Sequence, residues 1–586
     1  MCGIFGFVSK KEKSADEILR GLKVLEYRGY DSWGIAVKND SVISVEKHVG
    51  KIDRDESSLN DARIGIGHTR WATHGGVSVV NAHPHLDCTE KIAVIHNGIV
   101  ENYLELKKSL EQKGHKIISE TDTEIIAHLI EENLKTMGFA VSVKNAFEKL
   151  TGMNAVVVMN SVSSQIVAAK SGSPLVIGKA KDGFYIASDT LAMLDCCKEF
   201  LFLKDKQMVI LGEELELIDL SLDKQVKPVF EKITWVNTEV DKGKFKHFMI
   251  KEIFEQPKVI RDIEANSKEN IEKLAAEIKK SFGTFFIGAG TAYFACMAGS
   301  YLFSKIAKEH INTLPASEFN YLEHFLKKDS LIIALSQSGE TIDVVEPLQR
   351  VKEKGCKIFA VTNVEGSSIY RMADYKFLLM AGPEKAVAST KAYIAKLAIL
   401  LLTSFAFTNK LDEARMLLNK VALEIENILS KESISNIENL VKKIENNEHI
   451  YIIGRGFSYA SALEAALKIK EVSYIHAEGL AGGELKHGAI ALIAKNTPCL
   501  VFAPNDETYS AIISNAIEIK SRGGYIIGIS HKDNPVFDHF IKVDDIKEGS
   551  YLAQIVPAQL LAYFLAVKKG YDPDKPRNLA KSVTVK

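Results

Sequence analysis

TFFIGAGTAYFACMAGSYLFSK, residues 284–305, runs an apolar strand through a glycine turn into a helix. A second stretch repeats it: IYIIGRGFSYASALEAALKIKE, residues 450–471, with Gly288, Gly290 and Tyr293 matching Gly454, Gly456 and Tyr459. The next strands keep the correspondence, LIIALSQSGET (331–341) against PCLVFAPNDET (498–508) and GCKIFAVTN (355–363) against GGYIIGISH (523–531). Strand, small-residue turn and helix in alternation is the signature of βαβ units around a parallel sheet. The period is far too long for a solenoid, so one whole α/β domain occurs twice.

Upstream the rhythm changes. Short β-branched runs at Cys2–Val8, Gly34–Val37, Ile92–His96, Ala155–Met159, Ile166–Lys170 and Met208–Leu211 read as strands. Helical patterns fall at Ala15–Leu25, Glu101–Gln112, Thr123–Thr136 and Val141–Leu150. Runs of strands with segregated helices predict layered sheets covered by helices. Around 227–256 no period is sustained, which reads as a linker. The expected class is therefore α/β: a layered αββα domain at 2–225, a linker at 226–255, and doubly wound parallel-sheet domains at 256–415 and 430–575, with a tail at 576–586.

A chain of 586 residues is too long for one core, in keeping with this division. Lys+Arg (74) balances Asp+Glu (75), so bulk charge points to neither nucleic acid nor a membrane surface, and any anion must be held by a local site. The seven cysteines are odd in number and scattered, which predicts free thiols in a reducing, cytoplasmic setting. The start MCGIFGFVSKKEKS lacks a signal-peptide pattern, and apolar stretches such as Ala395–Phe407 fall short of a membrane helix.

Cys2 directly follows the initiator, and a small second residue favours removal of Met1. The freed α-amine, with a pKa near 7.7–8.0, is positioned to take the proton of its own residue's thiol. On its own, a second-position cysteine is more often a buried strand residue. It is not on its own: CGIFG (2–6), LEYRGYDSWG (25–34), GHTRWATHG (67–75), NAHPH (81–85), HNGI (96–99) and SETDTE (119–124) follow in order. Together they resemble the N-terminal-nucleophile (Ntn-hydrolase) glutaminase domain of glutamine amidotransferases. The resemblance implies Cys2 as nucleophile, with Asn97 and the Gly98 N–H as oxyanion donors. It implies Arg70 for glutamine's α-carboxylate, Asp122 for its α-ammonium, and Thr73 and His74 in the loop that closes over it. Trp71 would be both a binding residue and the gate of an ammonia passage. His68, His74, His83 and His85 lack zinc-hydrolase spacing and an acidic or thiol partner, so metal is the weaker reading of them.

In the second half, Gly288-Ala289-Gly290 alone indicates only a tight βα turn. LSQSGET (335–341) is stronger, because Ser336, Gln337, Ser338 and Thr341 crowd neutral donors at a helix start, a setting for a phosphate monoester. Plain N-capping accounts for one such residue, not four. This segment and VASTKAY (387–393) resemble sugar isomerase (SIS) domains. The second copy has APNDET instead, which predicts one phosphate site per chain. LKIKEVSYIHAE (467–478), GGELKHGAIALI (482–493) and PRNLAKSVTVK (576–586) extend the resemblance to the isomerising glutamine:fructose-6-phosphate amidotransferases over nearly the whole chain.

That resemblance implies glutamine and fructose 6-phosphate as substrates and glucosamine 6-phosphate and glutamate as products. His487 would open the sugar ring, Glu471 move the proton between C1 and C2, Lys581 form an iminium at C2, and Lys468 assist. Thr291, Val387 and Ala580 would join the Ser-rich turn around the sugar phosphate. No metal, flavin, nicotinamide or pyridoxal cofactor is implied; a homodimer is, since the family's ring-opening histidine comes from a neighbouring subunit. Without the family, Lys581 reads as a solvated tail residue, Lys468 and Glu471 as a surface pair, and His487 as a loop histidine. Two positions depart from the family pattern: Ala292, where Ser is common, and Ala489, where Pro is common. Acceptors of the phosphoribosyl or aspartyl kind lack their loops here, and a non-catalytic SIS sensor leaves the N-terminal half without a purpose.

Overall fold

The computed structural model describes residues 2–232 and 241–583. It divides into two compact units, residues 1–239 with 582–586, and residues 240–581. Met1, and with it the expected processing, lies outside the described residues.

The first unit contains two antiparallel sheets. In the larger, Gly3–Lys13 runs between Ala62–Arg70 and Gly183–Ala187; in the smaller, Ile92–Gly98 runs between His85–Leu86 and Asn154–Asn160. Strand side chains alternate between faces, and the two layers follow from that. Ile4 and Val8 of the first strand join Ala93 and Ile95 of the other sheet in one shared core. Phe5 and Phe7 face the opposite way, onto Ile18, Leu19 and Leu22 of the helix Asp16–Leu25. Ile92 and Val94 likewise face the helices Glu124–Leu134 and Phe139–Glu148. The order is helix, sheet, sheet, helix. Strands with weaker patterns, among them Val42–Val49 and Gly183–Ala187, complete the sheets beyond those the sequence marks.

The second unit holds two five-stranded, all-parallel sheets of identical topology. The first runs Ile311–Pro315, Gly283–Gly288, Ser330–Ser336, Lys357–Thr362, Tyr375–Leu378; the second runs His476–Ala481, His449–Gly454, Pro498–Ala503, Tyr525–Ser530, His539–Lys542. In chain order each is 2-1-3-4-5. Such sheets bind ligands where the strand order reverses, beyond the carboxyl ends of strands 1 and 3. In the first sheet that crevice is bordered by Gly288–Thr291 and by Ser336–Thr341. The helix Lys391–Phe407 is buried almost end to end, two lysines included.

Segment 226–255 holds more structure than a linker. Glu231–Lys232 pairs with Glu199–Phe200, and Phe248–Phe254 is a helix; residues 233–240 lie outside the described set. One helical run, Lys547–Lys568, is long and apolar enough to cross a membrane, contrary to the estimate from the sequence, but it is 89% buried inside the fold. Its apolar character is that of a core helix packed against Phe457–Ser473.

Candidate functional site

The register of the larger sheet builds the surroundings of Cys2. Gly3 stands opposite Thr69, so Cys2 falls beside Arg70 and Trp71. The Trp71 N–H donates to Cys2 Sγ at 3.3 Å, and Asn97 Nδ2 donates to the Cys2 carbonyl at 3.0 Å. Burial pushes the Cys2 thiol up, while the Trp71 N–H and Arg70 pull it down. Gly98 has φ +140°, and an added Cβ would lie 2.1 Å from the Met153 carbonyl, so no other residue fits there.

Arg70 is buried, and its guanidinium donates to the carbonyls of Gly75 and Gly76, both at 3.0 Å, and to that of His74. It therefore shapes the 73–76 loop from beneath. Thr73 is exposed on that loop, and His74 packs edge-on against Tyr103 with ring centroids 5.2 Å apart. Trp71 packs edge-on against Tyr30. Asp122 is buried and accepts from the Val100 N–H at 2.7 Å.

Several residues bear on this site in ways that the motifs alone do not assign. His68 Nε2 lies 3.0 Å from the His96 carbonyl and 3.2 Å from Asn97 Oδ1. Two acceptors require that nitrogen to carry the hydrogen, which fixes Asn97 with its oxygen toward His68 and its NH2 toward Cys2. Burial lowers the His68 pKa to about 3, so it stays neutral. Asp31 Oδ2 accepts the Ala72 N–H at 2.9 Å and steadies the Trp71 turn. Glu120 accepts from Asn81 Nδ2 at 2.9 Å and from the Gly76 N–H at 3.1 Å, latching the loop.

In the second unit the Ser-rich turn follows strand Ser330–Ser336. Ser336 Oγ accepts the Gly339 N–H at 3.0 Å and lies 3.1 Å from Thr341 Oγ1. Thr341 occupies the cap position of helix Ile342–Glu353, yet its hydroxyl makes no cap hydrogen bond. Plain capping is thus not what this threonine does. Ser338 Oγ accepts the Glu340 N–H at 3.2 Å, and the Gln337 carbonyl accepts the Asn363 N–H. At the matching crevice of the second domain, a cleft of about 370 Å³ is lined by Arg455, Glu484 and Glu507. Carboxylates stand there where the first domain presents neutral hydroxyls.

Lys468 is buried, not a surface residue. Its Nζ lies 2.5 Å from Glu471 Oε2, 3.6 Å from Glu464 Oε1 and 3.1 Å from Thr291 Oγ1. Thr291 opens the helix after the first domain's glycine turn, so this ammonium ties the two repeats together. Burial opposes its charge, yet Glu464 and Glu471 hold its pKa above the usual lysine value. Glu464 is wholly buried, and that burial raises its pKa to about 7.

The tail is likewise anchored. Asp574 accepts the N–H groups of Phe248 and Met249, both at 2.8 Å, and its carbonyl accepts the Val387 N–H at 3.0 Å. Ala580 is half-buried, and the next residue, Lys581, reaches Glu384 Oε2 at 2.5 Å. Glu384 also accepts the Thr390 and Ala392 N–H groups at the start of helix Lys391–Phe407. His487 stands apart, on an exposed turn at Leu485–His487, with no side-chain hydrogen bond among the described residues.

Comparison with known proteins gives three findings. The Glutamine amidotransferase domain family matches residues 69–195, and the SIS domain family matches 277–405 and 443–569. Proteins named glutamine--fructose-6-phosphate aminotransferase [isomerizing] from Pyrococcus horikoshii and Clostridium tetani are 42% and 40% identical, over all of this chain and all of theirs. Among solved structures, the C-terminal domain of glucosamine-fructose-6-phosphate aminotransferase from Francisella tularensis is 32% identical, with a TM-score of 0.54, and covers 57% of this chain and 100% of its own. Tagatose-6-phosphate ketose/aldose isomerase from Escherichia coli shares the fold of that half at 17% identity and a TM-score of 0.50, covering 59% of this chain and 99% of its own.

Proposed function

The chain belongs to the isomerising glutamine–fructose-6-phosphate aminotransferases, and from that premise we propose how its residues divide the reaction. The enzyme transfers the amide nitrogen of glutamine to fructose 6-phosphate and isomerises the product to glucosamine 6-phosphate, releasing glutamate.

At the glutamine end, Cys2 Sγ attacks the side-chain amide carbon once its proton passes to the α-amine that Met1 removal exposes. Asn97 Nδ2 and the Gly98 N–H receive the oxyanion. Collapse expels ammonia and leaves a thioester, which water hydrolyses to glutamate and free thiol. Arg70 and Asp122 hold the α-carboxylate and α-ammonium, with Thr73 and His74 closing above. Ammonia then passes internally, gated by Trp71, because in bulk water it would be protonated and lost.

At the sugar end, Ser336, Gln337, Ser338 and Thr341 hold the phosphate, with Thr291, Val387 and Ala580 around it. His487 opens the ring, and its exposed position suits donation to a neighbouring copy, so the working state is a homodimer. The Lys581 amine condenses with the C2 ketone, ammonia displaces it, and Glu471 carries the proton between C1 and C2. Sugar binding has to open the Lys581–Glu384 pair first. Seven free thiols suit a reducing cytoplasm.

The observation that carries this reading is the buried Lys468, which joins Glu471 of one repeat to Thr291 of the other within hydrogen-bond reach. The deciding assay counts glutamate and glucosamine 6-phosphate together. A one-to-one yield supports internal transfer; glutamate in large excess removes it. Cys2→Ala is expected to lower glutamine use by at least about a thousandfold while sugar isomerisation continues, and loss of both would contradict two separable sites.

A further inference from the structure

On the side of the first unit formed by helix Glu124–Leu134, four potential ligands from three segments converge. Cys88 follows the strand His85–Leu86, His115 follows the helix Tyr103–Gln112, and His128 and Glu131 lie one turn apart on Glu124–Leu134. One ligand atom from each lies within 4.8 Å of all the others. Cys88 Sγ is 3.5 Å from His128 Nδ1 and 3.8 Å from His115 Nδ1; Glu131 Oε2 is 3.0 Å and 3.1 Å from Nδ1 of His115 and His128. Zinc bonds of ~2.0–2.1 Å to nitrogen and oxygen and ~2.3 Å to sulfur put the edges of a tetrahedron at roughly 3.3 Å for N···O and 3.6 Å for N···S. The two N···O and two N···S distances already stand within a few tenths of an ångström of those edges, and the remaining two lie within 4.8 Å.

The outer contacts point the same way. Each imidazole turns Nδ1 inward and Nε2 toward a carboxylate outside the cluster: His115 Nε2 is hydrogen-bonded to Glu132 at 3.1 Å, and His128 Nε2 stands 3.5 Å from Glu124, in ion-pair range. Such carboxylates fix the tautomer and orientation of metal-binding histidines. The Lys116 N–H points at Cys88 Sγ at 3.5 Å, a donor suited to a thiolate. Both histidines are buried, and the exposed Cys88 leaves a route of entry. An ion-pair network alone accounts for Glu131 between two imidazoles, but not for a thiol against both ring nitrogens.

We propose that Cys88, His115, His128 and Glu131 form a structural zinc site. A thiolate and a carboxylate balance the charge of Zn2+, and four protein ligands leave no open position for catalysis. Thiolate and imidazole ligands disfavour magnesium and calcium. The ion would bind three segments together and stiffen the approach to Asp122, because Glu124 also accepts the N–H groups of Ile118 and Ser119.

The test uses tag-free, full-length protein kept reduced. Elemental analysis is expected to find about one zinc per chain, with at least about tenfold less in Cys88→Ala and in His128→Asn. Circular dichroism checks that both variants fold. Wild-type protein stripped by a chelator and titrated with Co2+ is expected to develop a thiolate-to-cobalt charge-transfer band with tetrahedral visible bands, saturating near one equivalent, and Cys88→Ala is expected to lack the charge-transfer band. Stripping is also expected to lower the wild-type Tm and leave that of Cys88→Ala unchanged. Zinc retained in both variants, or stripped wild-type protein that shows no cobalt thiolate band, overturns the site.

Discussion

Lys581 Nζ lies 2.5 Å from Glu384 Oε2, with the lysine side chain 5% exposed and the carboxylate fully buried. Lys581, two positions before the last described residue, is thereby fixed in the interior of the second unit. Charges so shielded are stable only as a pair, which ties the position of Lys581 to one carboxylate.

Glu384→Gln is therefore expected to cost about 3–5 kcal/mol, the penalty for stranding a buried charge. Chemical denaturation of the full chain measures it. A loss below about 1 kcal/mol would mean that Lys581 escapes to water and the pair holds nothing.

Two buried glutamates give opposite pH slopes. Burial would raise the Glu384 pKa, but Lys581 overrides it and holds it to about 2. The stability it confers is complete above the ordinary Glu value of ~4.3 and is lost as pH falls toward 2. Burial raises Glu464 to about 7. Between ~4.3 and 7 the folded chain keeps a proton that the unfolded chain has released, so stability falls as pH rises through that window. Glu464→Gln should flatten this second slope and leave the acid one. Urea midpoints across pH report both, and an unchanged slope between 5 and 7 in the variant would refute the assignment.

His68 touches no reacting atom in this account; it positions Asn97. His68→Phe should lower kcat for glutamine hydrolysis by about 100-fold with little change in KM, whereas His68→Gln, which keeps a donor, should recover part of the loss. A KM effect alone would make the residue merely structural.

Thr341→Val should raise KM for fructose 6-phosphate by about 10- to 100-fold, the worth of a hydrogen bond to a charged group. Because the hydroxyl does not cap its helix, Tm should hold. A fall in Tm with unchanged KM would restore the capping role.

Much of this was legible in the chain. The glycine turns and their repeat fixed the parallel domains, because a tight βα turn tolerates few alternatives. The strands Ile92–Gly98 and Asn154–Asn160 showed themselves through β-branched runs. Apart from the family resemblance, Lys468 and Glu471 read as a surface pair, because helix Phe457–Ser473 is buried on most sides and has no polar face to mark the exceptions. Glu464 and His68 were hidden for the same reason: nothing local separates a buried polar side chain from an exposed one. The Cys88 cluster draws on three separate segments, so no motif announces it, whereas the more conspicuous His68, His74, His83 and His85 pack against other rings. The helical run Lys547–Lys568 shows the converse, a core helix whose composition alone passes for a membrane span.

The two five-stranded sheets have the same strand order, yet on the proposed reading the sugar end takes its hydroxyl-rich turn from one and its lysine–glutamate helix from the other. Neither copy holds the full set. A tandem chain keeps both halves at a fixed one-to-one ratio and at an effective concentration that two separate domains would not match. The twin crevice, lined by Glu484 and Glu507, offers carboxylates in place of that hydroxyl-rich turn.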